Sequence, residues 1–327
     1  MGIAHERFTW QDGERTIHFG RGAVDEASGS LGDGFTLLTT PRAREMAPEL
    51  AERAGALHEV PAGRVDELAG SLLGTVDPAR LIVALGGGRV IDTAKALAAA
   101  RPPGQRPRVA AVPTTLSAAE MTAVHRRAAG ADGSLPGVRP AIVVNDPRLS
   151  ASQPDAELAA SAANALGHAA EGPATIRASP VPALAGREAA RLIRAAYEGD
   201  GEPDRDTLAL GALLSGYAID GGGYAVHHVV SQTLARLGGV GHGPANAAML
   251  PHTLVALERR GVPGAGALVG LATALARRAG ATRLRDLGVD ETALDEVADA
   301  AASRPELDLI PPRPGRDELR ELYTAAF

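Results

Sequence analysis

The stretch Arg80–Ala98 reads RLIVALGGGRVIDTAKALA, and it decides the fold. Its first part, Arg80–Leu85, predicts a strand buried on both faces, because its apolar residues follow one another without alternation. The glycines at 86–88 then connect this strand to a helix. A strand, a glycine turn and a helix N-terminus together bind pyrophosphate, because glycines admit the phosphates and the helix end offers free N–H groups.

Strand and helix signals alternate over the first 146 residues. Polar and apolar residues alternate around Asp12-Gly13, which predicts a β-hairpin over residues 7–20. Further strands are predicted at residues 35–40, 80–85, 108–112 and 141–144, and helices follow at residues 42–55 and after the glycine turn. This alternation predicts a doubly wound parallel-sheet domain of the Rossmann-like type over residues 1–146.

Beyond residue 146 the sequence predicts helices and no further strand. The predicted helices cover residues 155–171, 181–198, 205–220, 224–237, 244–259, 264–279, 290–303 and 316–326. We therefore predict an all-helical second domain over residues 147–327, and we expect it to carry the catalytic side chains. The predicted fold class is an α/β N-terminal domain followed by an all-α C-terminal domain.

Composition excludes several classes of function. The net charge of −6 argues against a nucleic-acid or anionic-membrane partner, since both need clustered positive charge. The absence of cysteine excludes disulfides and thiolate chemistry. No apolar run reaches the ~18 residues of a membrane span, and the N-terminus lacks the pattern of a secretion signal. We expect a cytoplasmic protein that acts on a small molecule.

The predicted helical domain contains a spaced set of polar side chains: Asn164, His168, His228 and His242. Asn164 and His168 are four residues apart on one predicted helix, so their side chains share a face. A lone histidine on an Ala-rich helix is more often a packed core residue. Several imidazoles brought together would instead form a candidate site for proton transfer or metal binding.

Four segments carry a family resemblance, and they occur in the family's order. GGGRVIDTAKALA at 86–98 resembles the GGGSxxDxAK segment of the iron-containing alcohol dehydrogenases, with Arg89 in place of serine. VPTT at 112–115, NDPRL at 145–149 and GHGPANAAMLPH at 241–252 resemble further segments of that family. The resemblance spans most of the chain and implies a dehydroquinate synthase-like fold.

By this resemblance, the first domain binds NADH or NADPH. The side chains implied in cofactor binding are Gly86, Gly87, Gly88, Arg89, Asp92, Lys95, Thr114, Thr115, Ser117, Thr40 and Arg42. Thr40 stands where many relatives carry an aspartate that bonds the adenosine ribose. Without that carboxylate, a 2′-phosphate meets less repulsion, and Arg42 lies nearby, so the sequence leaves the choice between NADH and NADPH open.

In metal-dependent relatives an aspartate and three histidines bind Fe²⁺ or Zn²⁺. If this chain bound such a metal, the ligands would be His168, His228 and His242, with Asn164 at the usual aspartate position. A neutral amide removes the only anion from that set, which argues against a metal. The string NALGHAAE at 164–171 and the tandem His227-His228 instead resemble the maleylacetate reductases, a subgroup implied to work without metal.

The resemblance implies hydride transfer between a nicotinamide and a small polar carbonyl compound or alcohol, in a cleft between the two domains. His168, His228 and His242 are expected to donate hydrogen bonds or protons to the developing enolate or alkoxide, with Asn164, His227 and Gln232 as further catalytic candidates. Gln232 departs from the subgroup, which commonly has histidine there. A homodimer is implied, paired through the hairpin Phe8–Phe19.

Three alternatives remain open at this point. The first is an alcohol dehydrogenase of the same family that oxidises a secondary alcohol or a β-hydroxy acid in a biosynthetic pathway, with or without loss of CO₂. The second retains a metal, with Asn164 as a weak or bystander ligand. The third is a catalytically dead protein that still binds the cofactor and serves as a scaffold or sensor.

Overall fold

The computed structural model describes residues 7–77, 80–151, 153–199 and 201–327. The described chain divides into two compact units. The first lies within Met1–Gln153 and includes Arg205–Leu213, and the second comprises Pro154–Asp204 and Leu214–Phe327. Within the described ranges, no helix is both long enough and apolar enough to cross a membrane.

The first unit is built on one seven-stranded sheet. Its strands are β1 (Phe8–Asp12), β2 (Arg15–Phe19), β3 (Thr36–Thr39), β4 (Ala56–Glu59), β5 (Ile82–Gly86), β6 (Val109–Pro113) and β7 (Ile142–Asn145). Their order across the sheet is β1-β2-β7-β6-β5-β3-β4. Only β1 and β2 pair antiparallel, as the predicted hairpin, and β2 then pairs in parallel with β7. The doubly wound parallel sheet is confirmed.

Helices cover the sheet of the first unit. They are α1 (Ala23–Glu26), α2 (Ser28–Leu31), α3 (Pro41–Met46), α4 (Pro48–Arg53), α5 (Val65–Leu72), α6 (Gly88–Ala99) and α7 (Pro147–Ser150). Successive residues of β5 enter different apolar clusters: Val83 and Leu85 pack in one, whereas Ile82 and Ala84 pack in the other. The strand is therefore buried on both faces, which explains its unbroken apolar sequence.

The described residues of the second unit form helices joined by loops, with no strand among them. Its helices are α8 (Asp155–Glu171), α9 (Pro180–Ala196), α10 (Arg205–Gly222, which begins in the first unit), α11 (Val226–Leu237), α12 (His242–Arg259), α13 (Val269–Arg278), α14 (Leu294–Ala302) and α15 (Arg316–Ala326). Helix α12 packs against α8, α11, α13 and α15. These bounds agree with the predicted helices to within a few residues, apart from the later start of α13 and α14.

Two sequence expectations for the first unit are wrong. The single helix predicted over residues 42–55 is two helices, α3 and α4, which are separated at Ala47. Pro48 opens α4, where its missing N–H group costs nothing, but it could not continue α3. The short strand β4 was not predicted, since it shows only a weak alternation of half-buried and exposed residues.

Lys95 on α6 ties that helix to the segment that follows β6. Its ammonium group is fully buried and donates to Asp92 Oδ1 at 2.8 Å, to the carbonyl of Ala119 at 3.0 Å and to the carbonyl of Val124 at 2.8 Å. The hydroxyl of Thr122 lies 3.4 Å away. A buried ammonium needs such partners, and here they fix the backbone of residues 119–124.

Replacing Lys95 with methionine should therefore destabilise the protein and loosen residues 119–124. We expect a loss of about 2–4 kcal/mol, because three hydrogen-bonding groups lose a charged partner in a buried site. Urea unfolding gives the free energy, and amide hydrogen exchange reports on the segment.

The matched control is Arg64→Met, which removes an exposed ion pair to Asp66 and should leave the unfolding midpoint unchanged. Equal midpoints for the two variants would show that Lys95 does not hold the segment.

Candidate functional site

The glycine turn between β5 and α6 is a close-packed cradle. A Cβ atom on Gly86 would lie 2.6 Å from Val90 Cγ2, within the same turn. Cβ atoms on Gly87 and Gly88 would lie 3.1 Å from Thr115 Oγ1 and 3.0 Å from Ser117 Oγ. The glycines thus let backbone and hydroxyl groups meet at a helix N-terminus, which is the arrangement that holds a pyrophosphate.

The predicted cofactor residues divide into three groups by their position. Thr114 contacts the glycine turn, because its N–H donates to the carbonyl of Gly86 at 3.1 Å. Arg89 and Arg42 have exposed side chains, and the hydroxyl of Thr40 caps α3 by accepting from the N–H of Ala43. Lys95 and Asp92 bond to each other, with Lys95 fully buried, as described above.

In the second unit, α8 and α11 bring two predicted imidazoles into contact. The rings of His168 and His228 stack with centroids 4.5 Å apart and an interplanar angle of 7°. Both residues are less than a tenth exposed. His227 lies edge-on to His228 with centroids 4.9 Å apart. Asn164 lies one turn before His168 and is also buried, and its Oδ1 accepts no hydrogen bond from any described residue.

Glu171, at the end of α8, anchors this cluster. Its carboxylate is fully buried and accepts hydrogen bonds from the backbone N–H groups of His227 at 2.6 Å and His228 at 3.2 Å. It also lies 2.7 Å from Nδ1 of His228. Glu171 therefore binds both the first turn of α11 and the imidazole that α11 carries.

These contacts fix which nitrogen of each ring carries a proton. Both oxygens of Glu171 accept N–H groups, so Nδ1 of His228 donates to the carboxylate and Nε2 presents a lone pair. Thr253 donates its hydroxyl to backbone carbonyls of α12, so it accepts from Nδ1 of His227 at 3.0 Å. His227 Nε2 is then also an acceptor, and it lies against Gly167, where a Cβ atom would be only 2.6 Å away.

Burial makes the imidazoles of this cluster neutral. Desolvation, with a smaller contribution from His242, lowers the pKa of His228 to about 3. Desolvation also lowers the pKa of His168 and of His227 well below the ordinary value. Burial raises the pKa of Glu171, and the N–H donors that face it oppose that shift. Burial therefore favours a neutral His228 at rest, and the donation of hydrogen bonds or protons by these histidines to a substrate stays a prediction.

His242 and Gln232 lie at the margins of the cluster. His242 opens α12 with an exposed side chain, and its Nε2 lies 3.1 Å from Nδ2 of Asn246. Its charge would lower the pKa of both His168 and His228, so the three imidazoles are electrostatically coupled. Gln232 contacts Arg304 at 3.3 Å, one turn beyond His228 on α11.

Comparison with known proteins now connects this geometry to a family. The model of the iron-containing alcohol dehydrogenases matches residues 15–147. Maleylacetate reductase 1 of Rhodococcus opacus is 31% identical over 75% of this chain and 72% of its own. Maleylacetate reductase of Pseudomonas aeruginosa is 30% identical over 82% of both chains.

The chain belongs to the iron-containing alcohol dehydrogenase family. The crystal structure of maleylacetate reductase from Agrobacterium tumefaciens agrees in fold, with a TM-score of 0.80, 26% identity and 98% of each chain covered. The family resemblance predicted from the sequence is therefore confirmed, and so is the pairing of a Rossmann-like domain with a helical one.

The family name implies a metal, but the donor set of this chain does not fit one. Among the described residues, no three His, Cys, Asp or Glu side chains are grouped so that they could hold a metal ion. The rings of His168 and His228 stack in nearly parallel planes, and Nδ1 of His228 is already bonded to Glu171. Asn164 adds a neutral amide where a divalent cation would need an anion.

Sequence reasoning missed the residues that support the imidazoles. Glu171 ends the NALGHAAE string, but the sequence does not show that its carboxylate is buried and bonds His228. Thr253 and Asn246, which contact His227 and His242, were not singled out. A glutamate three residues after His168 on an Ala-rich helix was the available signal, but the sequence could not show that α11 begins against it.

Glu171→Gln should destabilise the protein by about 2–4 kcal/mol. Glutamine offers only one acceptor oxygen, and its amide group would face N–H donors that it cannot accept from. Urea unfolding at pH 7 measures the loss.

Glu188→Gln on α9 is the control, since Glu188 is exposed and pairs with Arg191 at the surface. A loss for Glu171→Gln no greater than that of the control would contradict the anchoring role.

Proposed function

We propose that this chain is an NADH- or NADPH-dependent reductase of a small carbonyl compound, with maleylacetate, reduced to 3-oxoadipate, as the first substrate to test. The observation that carries the proposal is the stacked pair of buried, neutral imidazoles of His168 and His228, of which Glu171 holds His228 in one orientation. The match to maleylacetate reductases over most of the chain supports the same reaction.

The residues of the glycine turn fit a dinucleotide. The backbone N–H groups at residues 86–88 would hold its pyrophosphate, with Thr115 and Ser117 beside them. When bound, the nicotinamide supplies the hydride. Thr40 puts no carboxylate at the end of β3, and Arg42 is exposed in the first turn of α3, so both NADH and NADPH are candidates.

The imidazoles supply proton handling at the substrate oxygen. His228 Nε2 is positioned to accept a hydrogen bond from a substrate hydroxyl or a water, because Nδ1 is committed to Glu171. Negative charge on the substrate oxygen raises the pKa of a nearby imidazole, and Glu171 stabilises the imidazolium that forms. His168, also neutral, carries one N–H that can donate to the same oxygen.

A second candidate is the oxidation of a secondary alcohol or β-hydroxy acid. The observation that favours it is the same lone pair at His228 Nε2, since the removal of a hydroxyl proton needs a neutral base. Assays in both directions, with maleylacetate and with β-hydroxy acids, separate the two candidates.

His228→Ala tests the proposed role of the imidazoles. Loss of a general acid or base typically costs ~10²–10⁴ in rate, so kcat should fall by that factor. The affinity for NADH, measured by fluorescence titration, should stay within about threefold of the parent value, a range of ~0.65 kcal/mol.

Either of two results would contradict this assignment. The first is a variant that retains the parent kcat. The second is a parent enzyme that binds NADH but turns over no carbonyl substrate or alcohol, which would favour the scaffold hypothesis.

Treatment with EDTA tests the proposal that no metal is required. Because Asn164 is a neutral amide and no three His, Cys, Asp or Glu side chains of the described residues are grouped as metal ligands, we expect turnover to be unchanged by the chelator and by added Zn²⁺ or Fe²⁺. Elemental mass spectrometry of the untreated protein should find well below one equivalent of either metal. Loss of activity with EDTA and its return with one metal would sink the imidazole-only mechanism.

A further inference from the structure

A second polar cluster lies beside the imidazoles in the helical unit, and apart from Gln232 neither the family resemblance nor the proposed reaction assigns its residues. Arg304 donates to both oxygens of Glu306, from Nε at 2.9 Å and from Nη2 at 2.8 Å. The same Nη2 lies 3.1 Å from the hydroxyl of Tyr224 and 3.3 Å from Oε1 of Gln232. The hydroxyl of Tyr224 in turn donates to Glu306 at 2.9 Å.

The cluster is connected to His228 by two contacts. The ring of Tyr224 packs on the ring of His228, with centroids 5.7 Å apart. Gln232 is four residues after His228 on α11, so the two side chains share a face about one helical turn apart, roughly 6 Å. A short carbon chain has the length to span this separation.

After the hydrogen bonds within the cluster are formed, it still has donors available to a ligand but few acceptors. Each oxygen of Glu306 accepts from Arg304, Oε1 of Gln232 accepts from it too, and Tyr224 both accepts and donates. Across the described chain, no residue accepts from Nη1 of Arg304 or Nε2 of Gln232 in a hydrogen bond of the structure. The guanidinium is part-buried, with 19% of its side chain exposed.

The charge of the cluster is close to balanced. Arg304 carries a positive charge and Glu306 a negative one, and burial raises the pKa of Tyr224 to about 12, so the phenol is neutral. The remaining donors therefore suit a single acceptor group of a ligand. A carboxylate fits best, because its two oxygens can accept from the two remaining donors, Nη1 of Arg304 and Nε2 of Gln232, and a hydrogen bond between a charged donor and a charged acceptor is strong.

We propose that Arg304 and Gln232 form a subsite for a carboxylate of the substrate, whose reacting carbonyl or alcohol lies at His228. This inference rests on the proposed function and narrows it to small oxo acids or hydroxy acids. It also gives Gln232 a role: the amide orients on Arg304 and adds a donor where the maleylacetate reductase subgroup commonly has histidine.

Two substitutions should change substrate affinity in opposite directions. Arg304→Met should raise KM for an acid substrate by about ten- to a hundredfold, the range of a hydrogen bond to a charged group. It should change kcat, and the KM of the corresponding methyl ester, by less than about threefold. Glu306→Gln removes the competing negative charge and should lower KM for the acid.

The control is Arg316→Met, at the start of α15, where Arg316 pairs with Asp295 and Asp299 at the surface. It should leave KM for the acid and kcat unchanged. Arg304→Lys keeps the charge and should restore part of the affinity for the acid. A rise in KM for Glu306→Gln, or equal effects of Arg304→Met on acid and ester, would overturn the proposal, since a purely structural role predicts both.

Succinate titration by NMR, in the presence of NADH, separates this inference from the reaction assignment. The parent protein should bind succinate, Arg304→Met should weaken that binding and Glu306→Gln should strengthen it. With these results the subsite stands even if no substrate is turned over. If substrate is turned over but succinate binding is indifferent to both substitutions, the subsite is wrong and the reaction assignment stands.

Discussion

The buried carboxylate of Glu171 is the interaction on which the candidate site depends. A fully buried carboxylate is costly unless N–H groups surround it, and here α11 provides three of them. One contact therefore performs two tasks. It terminates α8 against the first turn of α11, and it sets the tautomer of His228. The position of the ring and its chemistry are consequences of the same packing.

The first unit also contains a buried charged group whose cost is offset by hydrogen-bonding partners, in this case the ammonium of Lys95. Lys95 is the only lysine of the chain, and it is buried beneath residues 119–124 rather than exposed to solvent. Thr115 and Ser117, which precede that segment, lie next to the glycine turn, where the close contacts require small residues. The helix that follows the glycine motif thus carries an ion pair between Asp92 and the buried Lys95, three residues apart.

Local patterns in the sequence were enough to predict the fold. The unbroken apolar run of β5, the glycine turn and the long Ala-rich helices each follow from short-range chemistry, and the structure confirms them. The sequence-based prediction of secondary structure failed where a proline divides a helix, as at Pro48, and where a strand has little apolar character, as in β4. Family membership was also predictable, because its motifs are contiguous.

The candidate site was only partly predictable, since its contacts join residues far apart in sequence. The spacing of Asn164, His168 and His228 indicated a cluster, but the partner of His228 lies 57 residues earlier in the chain. The network of Arg304, Glu306 and Tyr224 had no signal, because arginine and glutamate near a proline are typical of an exposed loop. Burial, which lowers the pKa of His168, His227 and His228, appears only in three dimensions.

The most direct test of this account is a long-range ¹H–¹⁵N NMR spectrum of histidine-labelled protein, recorded from pH 5 to pH 8, with His228→Gln used to assign the signals. The account predicts that His228 stays neutral across this range, with its proton on Nδ1 and none on Nε2. A His228 that titrates between pH 6 and 7, or carries its proton on Nε2, would contradict it.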